Sequence, residues 1–145
     1  MSITESATWK RLEARWDQGF EHLLGEEQQA IALWWLEAET MNGTLDQFFW
    51  NSSGDLALIA RAGLESLHMP ITLQAFASAL AHFGPDYPID RAQRMARLQA
   101  IEARHGTDVF IPASRVIQRL PEDFVQAAAD RLTRLYAGLP QEGAA

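Results

Sequence analysis

With 145 residues, 48% of them hydrophobic and 21% charged, the chain has the composition of an ordinary folded domain, a size that removes about 70% of the unfolded surface from water. Twelve basic and nineteen acidic residues give a formal charge of -7, which opposes direct nucleic-acid binding and favours basic partners. The absence of cysteine excludes disulfides, thiolate metal sites and cysteine nucleophiles together.

Met1 to Lys10 holds no basic segment followed by an apolar run, so a cytoplasmic protein without a secretory signal is expected. Trp9, Leu12, Trp16, Phe20 and Leu23 recur at intervals of three and four, which predicts a helix from near Ser6 to Leu24-Gly25. Glu26 and Glu27 then place negative charge at the positive end of a second helix, expected to reach about Met41. Its middle, Ala30 to Leu36, is apolar all round and reads as a helix running through the core, with Trp34 and Trp35 packing to different sides. This longest apolar run is far short of the roughly 20 residues that span a bilayer, so no membrane partner is expected.

Asn42-Gly43 stops that helix, and Leu45 to Trp50 is short and aromatic-rich. Asn51 to Asp55 joins turn and N-cap chemistry ahead of a third helix from about Leu56 to Leu67. Pro70 breaks the chain, Thr72 caps a fourth helix carrying Leu73, Phe76, Leu80 and Phe83, and Gly84-Pro85 ends it. Asp90 caps a fifth helix from Arg91 to about His105, with Met95, Leu98 and Ile101 inward and Arg91, Arg94, Arg97 and Arg104 largely outward. Val109-Phe110-Ile111 is the only strand-like run, but Pro112 follows it and a loop is expected. A last helix starts near Pro121, turning Phe124, Ala128, Leu132 and Leu135 inward, and the tail from about Gly138 is expected to fray. The expected fold is all-α: a single-domain orthogonal bundle of about six helices over residues 1–145.

Side-chain chemistry points to binding rather than catalysis. His22, His68, His82 and His105 sit on different predicted elements without the spacing that puts two imidazoles on one helical face, so no metal is expected. Ser52-Ser53-Gly54 lacks a nucleophile elbow, and the scattered glycines form no phosphate-cradling loop. Glu37 and Glu39, two apart on one helix, point away from each other, which is wrong for a paired acid and base. No catalytic residue and no cofactor are expected, and the Asn51 to Asp55 loop beside Trp50 is the one place where a ligand pocket would be sought.

The charge is uneven. Residues 1–60 hold ten acids against three bases and residues 61–145 nine of each, so the first part carries the whole net charge. Such a half either keeps a protein soluble or attracts a basic partner. The arginines of the fifth helix read as a nucleic-acid footprint or as partners for the acidic half, within one subunit or across a dimer; a pI of about 5.0 favours the second. Glu13, Asp17 and Glu21, four apart, form a stripe with a spacing of about 6 Å along a helix axis. That spacing approaches the separation of phosphates along DNA, although a solvated helix face gives the same pattern.

The run Glu39-Thr40-Met41-Asn42-Gly43-Thr44-Leu45-Asp46-Gln47-Phe48-Phe49-Trp50-Asn51-Ser52-Ser53-Gly54-Asp55 resembles the hallmark of a bacterial family of small acidic helical domains whose named member is a DNA-mimic protein. The likeness continues at Ala62, Leu64 and Leu67 and at Gly84, Pro88, Asp90 and Arg94. Thr44 replaces a glycine of the usual Asn-Gly-Gly, and His68 stands where glycine is common. The resemblance implies an all-helical dimer whose acidic surface occupies the DNA-binding face of a transcription factor or histone-like protein. Asn42, Gly43, Gln47, Phe49, Asn51, Gly54 and Asp55 read as a fold-determining motif. The partner-binding acids are nominated from this sequence itself: Glu13, Asp17, Glu21, Glu26 and Glu27. A basic toxin domain, neutralised as by an immunity or antitoxin-type protein, is the alternative partner.

Overall fold

The computed structural model describes residues 2–140. Eight α-helices and four 3-10 turns make up its regular structure, with no strand among the described residues. The helices are α1 (Ala7–Trp16), α2 (Gly25–Asn42), α3 (Leu45–Trp50), α4 (Ala57–Ser66), α5 (Pro70–Leu80), α6 (Arg91–His105), α7 (Ile111–Gln118) and α8 (Phe124–Ala137). The expected frayed tail lies in part outside the described residues, from position 141 onward.

Helix α2 is the axis of the molecule. Ala30, Ile31, Ala32, Leu33 and Leu36 are all buried because the helix is wrapped by α3, α4, α7 and α8, which is what an all-round apolar middle requires. Trp34 and Trp35 do not pack to different sides; their rings meet edge to face, 5.0 Å between centroids, and both stay half-buried. A second apolar focus gathers Phe48, Phe49, Phe76, Phe83, Tyr87 and Phe110 from α3, α5, α7's approach and the loops between them. Phe49 lies at its centre, fully buried.

Four elements differ from expectation. Helix α1 starts where Ser6 caps it, the side chain accepting from the Trp9 N–H, but it stops at Trp16 rather than reaching Leu23. Gly19, at φ 127°, turns the chain, and Phe20–His22 form a separate 3-10 turn. Helix α5 begins at Pro70, whose fixed φ suits a first turn; Thr72 lies inside that turn, buried, and its N–H and hydroxyl both donate to Glu122 Oε1 at 2.8 and 2.9 Å. Ile111 and Pro112 open α7 instead of continuing a loop, again with proline in the first turn. Helix α8 begins at Phe124, capped by Asp123, three residues after Pro121. The added short helices α3 and α7 account for eight helices where about six were read.

His68 adopts φ 57°, the left-handed conformation that glycine enters at least cost, which explains why this turn position suits glycine in the resembled family.

Candidate functional site

Two buried polar hubs set the geometry from which the surface is built. The first centres on Glu27, fully buried in the first turn of α2. Arg15 of α1 meets both carboxylate oxygens at 2.5 and 2.9 Å, the Leu24 N–H donates at 2.9 Å, and the Tyr136 hydroxyl of α8 donates at 2.6 Å. Burial works against the charge, but Arg15, Tyr136 and the Leu24 N–H together hold the carboxyl below the usual carboxylate range. Tyr136 is pushed up by its own burial and by the carboxylate it bonds. Glu27 therefore ties α1, α2 and α8 together. It is not a partner-binding surface residue, and the reading that placed it with Glu26 on the surface is corrected: a carboxylate with four satisfied contacts at a helix junction has no face left for a partner.

The second hub centres on Arg94 of α6, expected to point outward and in fact fully buried. Its Nε donates to Phe49 O at 2.7 Å, Nη2 to Asn51 O at 2.8 Å, Nη1 to Ile89 O at 2.8 Å, and Nη1 also pairs with Asp55 Oδ1 at 2.9 Å. Arg91 adds a bond from Nε to Trp50 O at 2.9 Å. Two guanidinium groups thus satisfy the carbonyls that the C-terminus of α3 leaves unpaired and complement its dipole. Gly54 sits against this guanidinium so closely that a Cβ would lie 2.6 Å from Arg94 Nε and 2.9 Å from Phe48 O. Its carbonyl accepts from the Tyr87 hydroxyl at 2.7 Å.

Most of the nominated motif residues converge here. Gln47 and Asn51 both donate to the buried Glu39 carboxylate, at 2.5 and 3.1 Å. The Gly43 carbonyl accepts from Gln118 Nε2 at 2.9 Å, which ties α7 to the end of α2. Asp55 caps no helix; it serves Arg94 instead. Asn42 is exposed at the last residue of α2 and stands outside the network.

The other nominated acids lie on the surface around α1. Glu13 on the helix, Asp17 at its C-cap and Glu21 in the following 3-10 turn are exposed, and Glu26 is half-buried. Because α1 ends at Trp16, the three do not form one straight helical row; only Glu13 and Asp17 keep that spacing. The two arginines of α1 are drawn away from this face. Arg15 is committed to Glu27, and Arg11 stacks 4.5 Å from the centre of the Tyr136 ring and bonds Pro140 O at 3.1 Å.

Two adjoining clefts open beside these acids. The larger, about 540 Å³, lies between Trp16, Phe20, Trp35, Glu39, Asp55 and Arg91 and includes the Asn51 to Ser53 stretch. The smaller, about 180 Å³, is lined by Trp9, Trp16, Ile31, Trp34, Trp35, Thr4 and Glu13. Ser53 is buried with its hydroxyl donating to Phe48 O, so it is spent on the turn. The tryptophans were read as core from their helical spacing, and exposure of one flank of Trp16, Trp34 and Trp35 is not visible in that pattern.

Elsewhere, Glu102 on α6 and Asp46 on α3 form a carboxyl pair: their shared hydrogen bond, burial and the Asp46 charge push Glu102 up to about 7. The fold brings the rings of His82 and His105 to 5.3 Å, but among the described residues no group of three metal-ligating side chains forms. No helix among those residues is long and apolar enough to cross a membrane.

The structure thus defines an all-helical domain with an acid-bearing, tryptophan-lined face held in place by buried ionic hubs. The family model described as DMP19-like protein matches residues 21–138, and the chain belongs to that family. No curated protein and no solved structure matches it.

Proposed function

We propose that this protein is an acidic protein-binding regulator, a DNA mimic that occupies the DNA-binding surface of a basic partner such as a transcription factor or histone-like protein, and that it acts by binding without catalysis. The observation that carries this reading is the surface around α1: Glu13, Asp17 and Glu21 are exposed while the arginines of the helix are turned to Glu27 and Tyr136, which leaves Lys10 as the exposed base of the helix. A surface with that acidic excess attracts the positive surface that otherwise meets phosphates, and it speeds encounter at low salt. Membership of the DMP19-like family supports the same reading. Glu26, half-buried in the first turn of α2 and within electrostatic reach of Arg131 on α8, adds charge from the start of that helix.

The test is capture of partners from native lysate at low and high salt, with elution by duplex DNA. Recovery of a basic DNA-binding protein that DNA displaces, and its loss on combining Glu13→Lys, Asp17→Lys and Glu21→Lys, is the expected result. Binding that survives the triple reversal overturns the assignment of the face. Recovery of a toxin domain in place of a DNA-binding protein overturns mimicry.

A further inference from the structure

We propose that the smaller, tryptophan-lined cleft between α1 and α2 receives an arginine side chain of the partner. This rests on the reading of the partner as a basic protein and names where one of its cations is anchored.

The floor of the cleft is apolar: Ile31 is buried and Trp9 is 4% exposed. The walls are the half-buried indoles of Trp16, Trp34 and Trp35. Trp34 and Trp35 stand at 85° to each other, and Trp9 is tilted 43° to Trp34 at 6.4 Å, so the rings present differently oriented faces and edges to one small space. Indole faces carry negative electrostatic potential and attract cations, tryptophan most strongly of the aromatic residues. Glu13 is the one charged side chain in the lining, at the lip.

An aromatic floor with a single carboxylate at its edge matches a guanidinium better than an ammonium. The guanidinium is planar, weakly hydrated and able to stack on an indole while its edge N–H groups meet a carboxylate; the ammonium is compact and strongly hydrated. The molecule uses the same contact internally, where Arg11 stacks on Tyr136. None of the chain's own arginines on α1 occupies the cleft, since Arg15 and Arg11 are held elsewhere. The neighbouring larger cleft is the poorer cation site because Arg91 lines it and its carboxylates, Glu39 and Asp55, are already engaged by Gln47, Asn51 and Arg94.

The experiment follows the five indole N–H signals by two-dimensional NMR of the full chain during titration with the peptide acetyl-Gly-Arg-Gly amide. Trp50 lines neither cleft and serves as the internal reference. Saturable shifts of Trp16, Trp34 and Trp35, with Trp50 unmoved, are expected. The citrulline analogue, isosteric and uncharged, binds about tenfold more weakly. Glu13→Gln and Trp34→Leu each weaken the arginine peptide while Glu65→Gln, on α4 and outside both clefts, does not; unchanged signals away from the cleft show that the variants fold. Equal binding of arginine and citrulline peptides, a Trp50 shift as large as the others, or undiminished binding by Trp34→Leu overturns the proposal. Peptide binding in the cleft without capture of any basic partner upholds the cleft and removes the mimic reading; capture without peptide binding does the reverse.

Discussion

Replacing Arg94 by methionine tests whether the hallmark segment is held by one guanidinium. The side chain is fully buried and donates three short hydrogen bonds, to Phe49 O, Asn51 O and Ile89 O, besides its pair with Asp55. Charge-assisted bonds of this kind contribute about 1.5–3 kcal/mol each, but a plain sum overshoots because methionine refills much of the apolar volume of the stem. Asp55, 45% exposed in its side chain, also regains water when its partner leaves. The lasting cost is in the carbonyls left dry at the end of α3, and the expected loss is about 3–5 kcal/mol, as for removal of one member of a buried ion pair. Arg94→Lys keeps the charge but cannot reach both the α3 carbonyls and the Ile89 loop, so it loses about 2 kcal/mol. Gly54→Ala forces a methyl group against the Arg94 guanidinium and the Phe48 carbonyl and costs about 2–3 kcal/mol by overpacking. Urea unfolding followed by far-ultraviolet circular dichroism and tryptophan fluorescence measures each, with the slope compared between variants. A loss under about 1 kcal/mol for Arg94→Met at unchanged slope, or lysine as good as arginine, refutes the reasoning.

The Glu27 hub gives a graded pair: Tyr136→Phe removes one hydrogen bond and costs about 1 kcal/mol, whereas Glu27→Ala strands buried Arg15 contacts and costs about 3–5 kcal/mol. The Glu27 carboxyl is held below the ordinary glutamate value of 4.5, so its stabilising contribution is present above that pH and is lost as pH falls through the folded-state value; Glu27→Gln should lack that part of the acid limb, and an identical acid limb counts against it. Glu102 has the opposite sign. Raised from 4.5 to about 7, it binds more protons in the folded state, so stability falls as pH rises between those values. Glu102→Gln, measured by thermal unfolding from pH 4 to pH 8, flattens that slope and gains about 1 kcal/mol at the upper end after allowance for solvent screening; parallel curves for the two proteins would show that Asp46 and Glu102 do not share a proton.

The sequence displays its helices wherever apolar spacing and caps coincide, which is why α2 and α6 appear with nearly their observed ends. Asp90 accepts from the Gln93 N–H as its position ahead of Arg91 predicts. What spacing does not carry is a break dictated by one backbone angle. Trp9 to Leu23 keeps a helical period across Gly19, yet the positive φ there separates α1 from the 3-10 turn and disperses the acid stripe. Arg94 was misjudged for a related reason. Periodicity places it between inward Leu98 and outward Arg97, and only the tertiary approach of α3, with its unpaired carbonyls, draws the guanidinium inside. Ile111 to Gln118 was hidden by Pro112, which ends strands and helices in mid-run but is well placed in a first turn. Of the nominated motif residues, Gln47, Asn51, Gly54 and Asp55 enter the polar network while Asn42 stays exposed, and the flank that Trp16, Trp34 and Trp35 leave open to solvent depends on which neighbours happen not to cover it.

Burial of the two hubs bears directly on the acidic face. Each hub pairs a carboxylate with an arginine, Glu27 with Arg15 and Asp55 with Arg94, so each pair sums to zero, although the Asp55 side chain stays 45% exposed. Among residues 1–60, Lys10 and Arg11 are then the bases outside these pairs, against Glu5, Glu13, Asp17, Glu21, Glu26, Glu37 and Asp46 and the buried Glu39. Arg11 is further held against Tyr136 at the α8 side. Near α1 the bases are thus reduced to Lys10 and the Tyr136-stacked Arg11, while Glu13, Asp17 and Glu21 stay exposed. The contact of Arg15 with Glu27 fixes α1 against α2, so the tryptophan walls and the Glu13 lip are positioned by Glu27 even though Glu27 itself meets no partner.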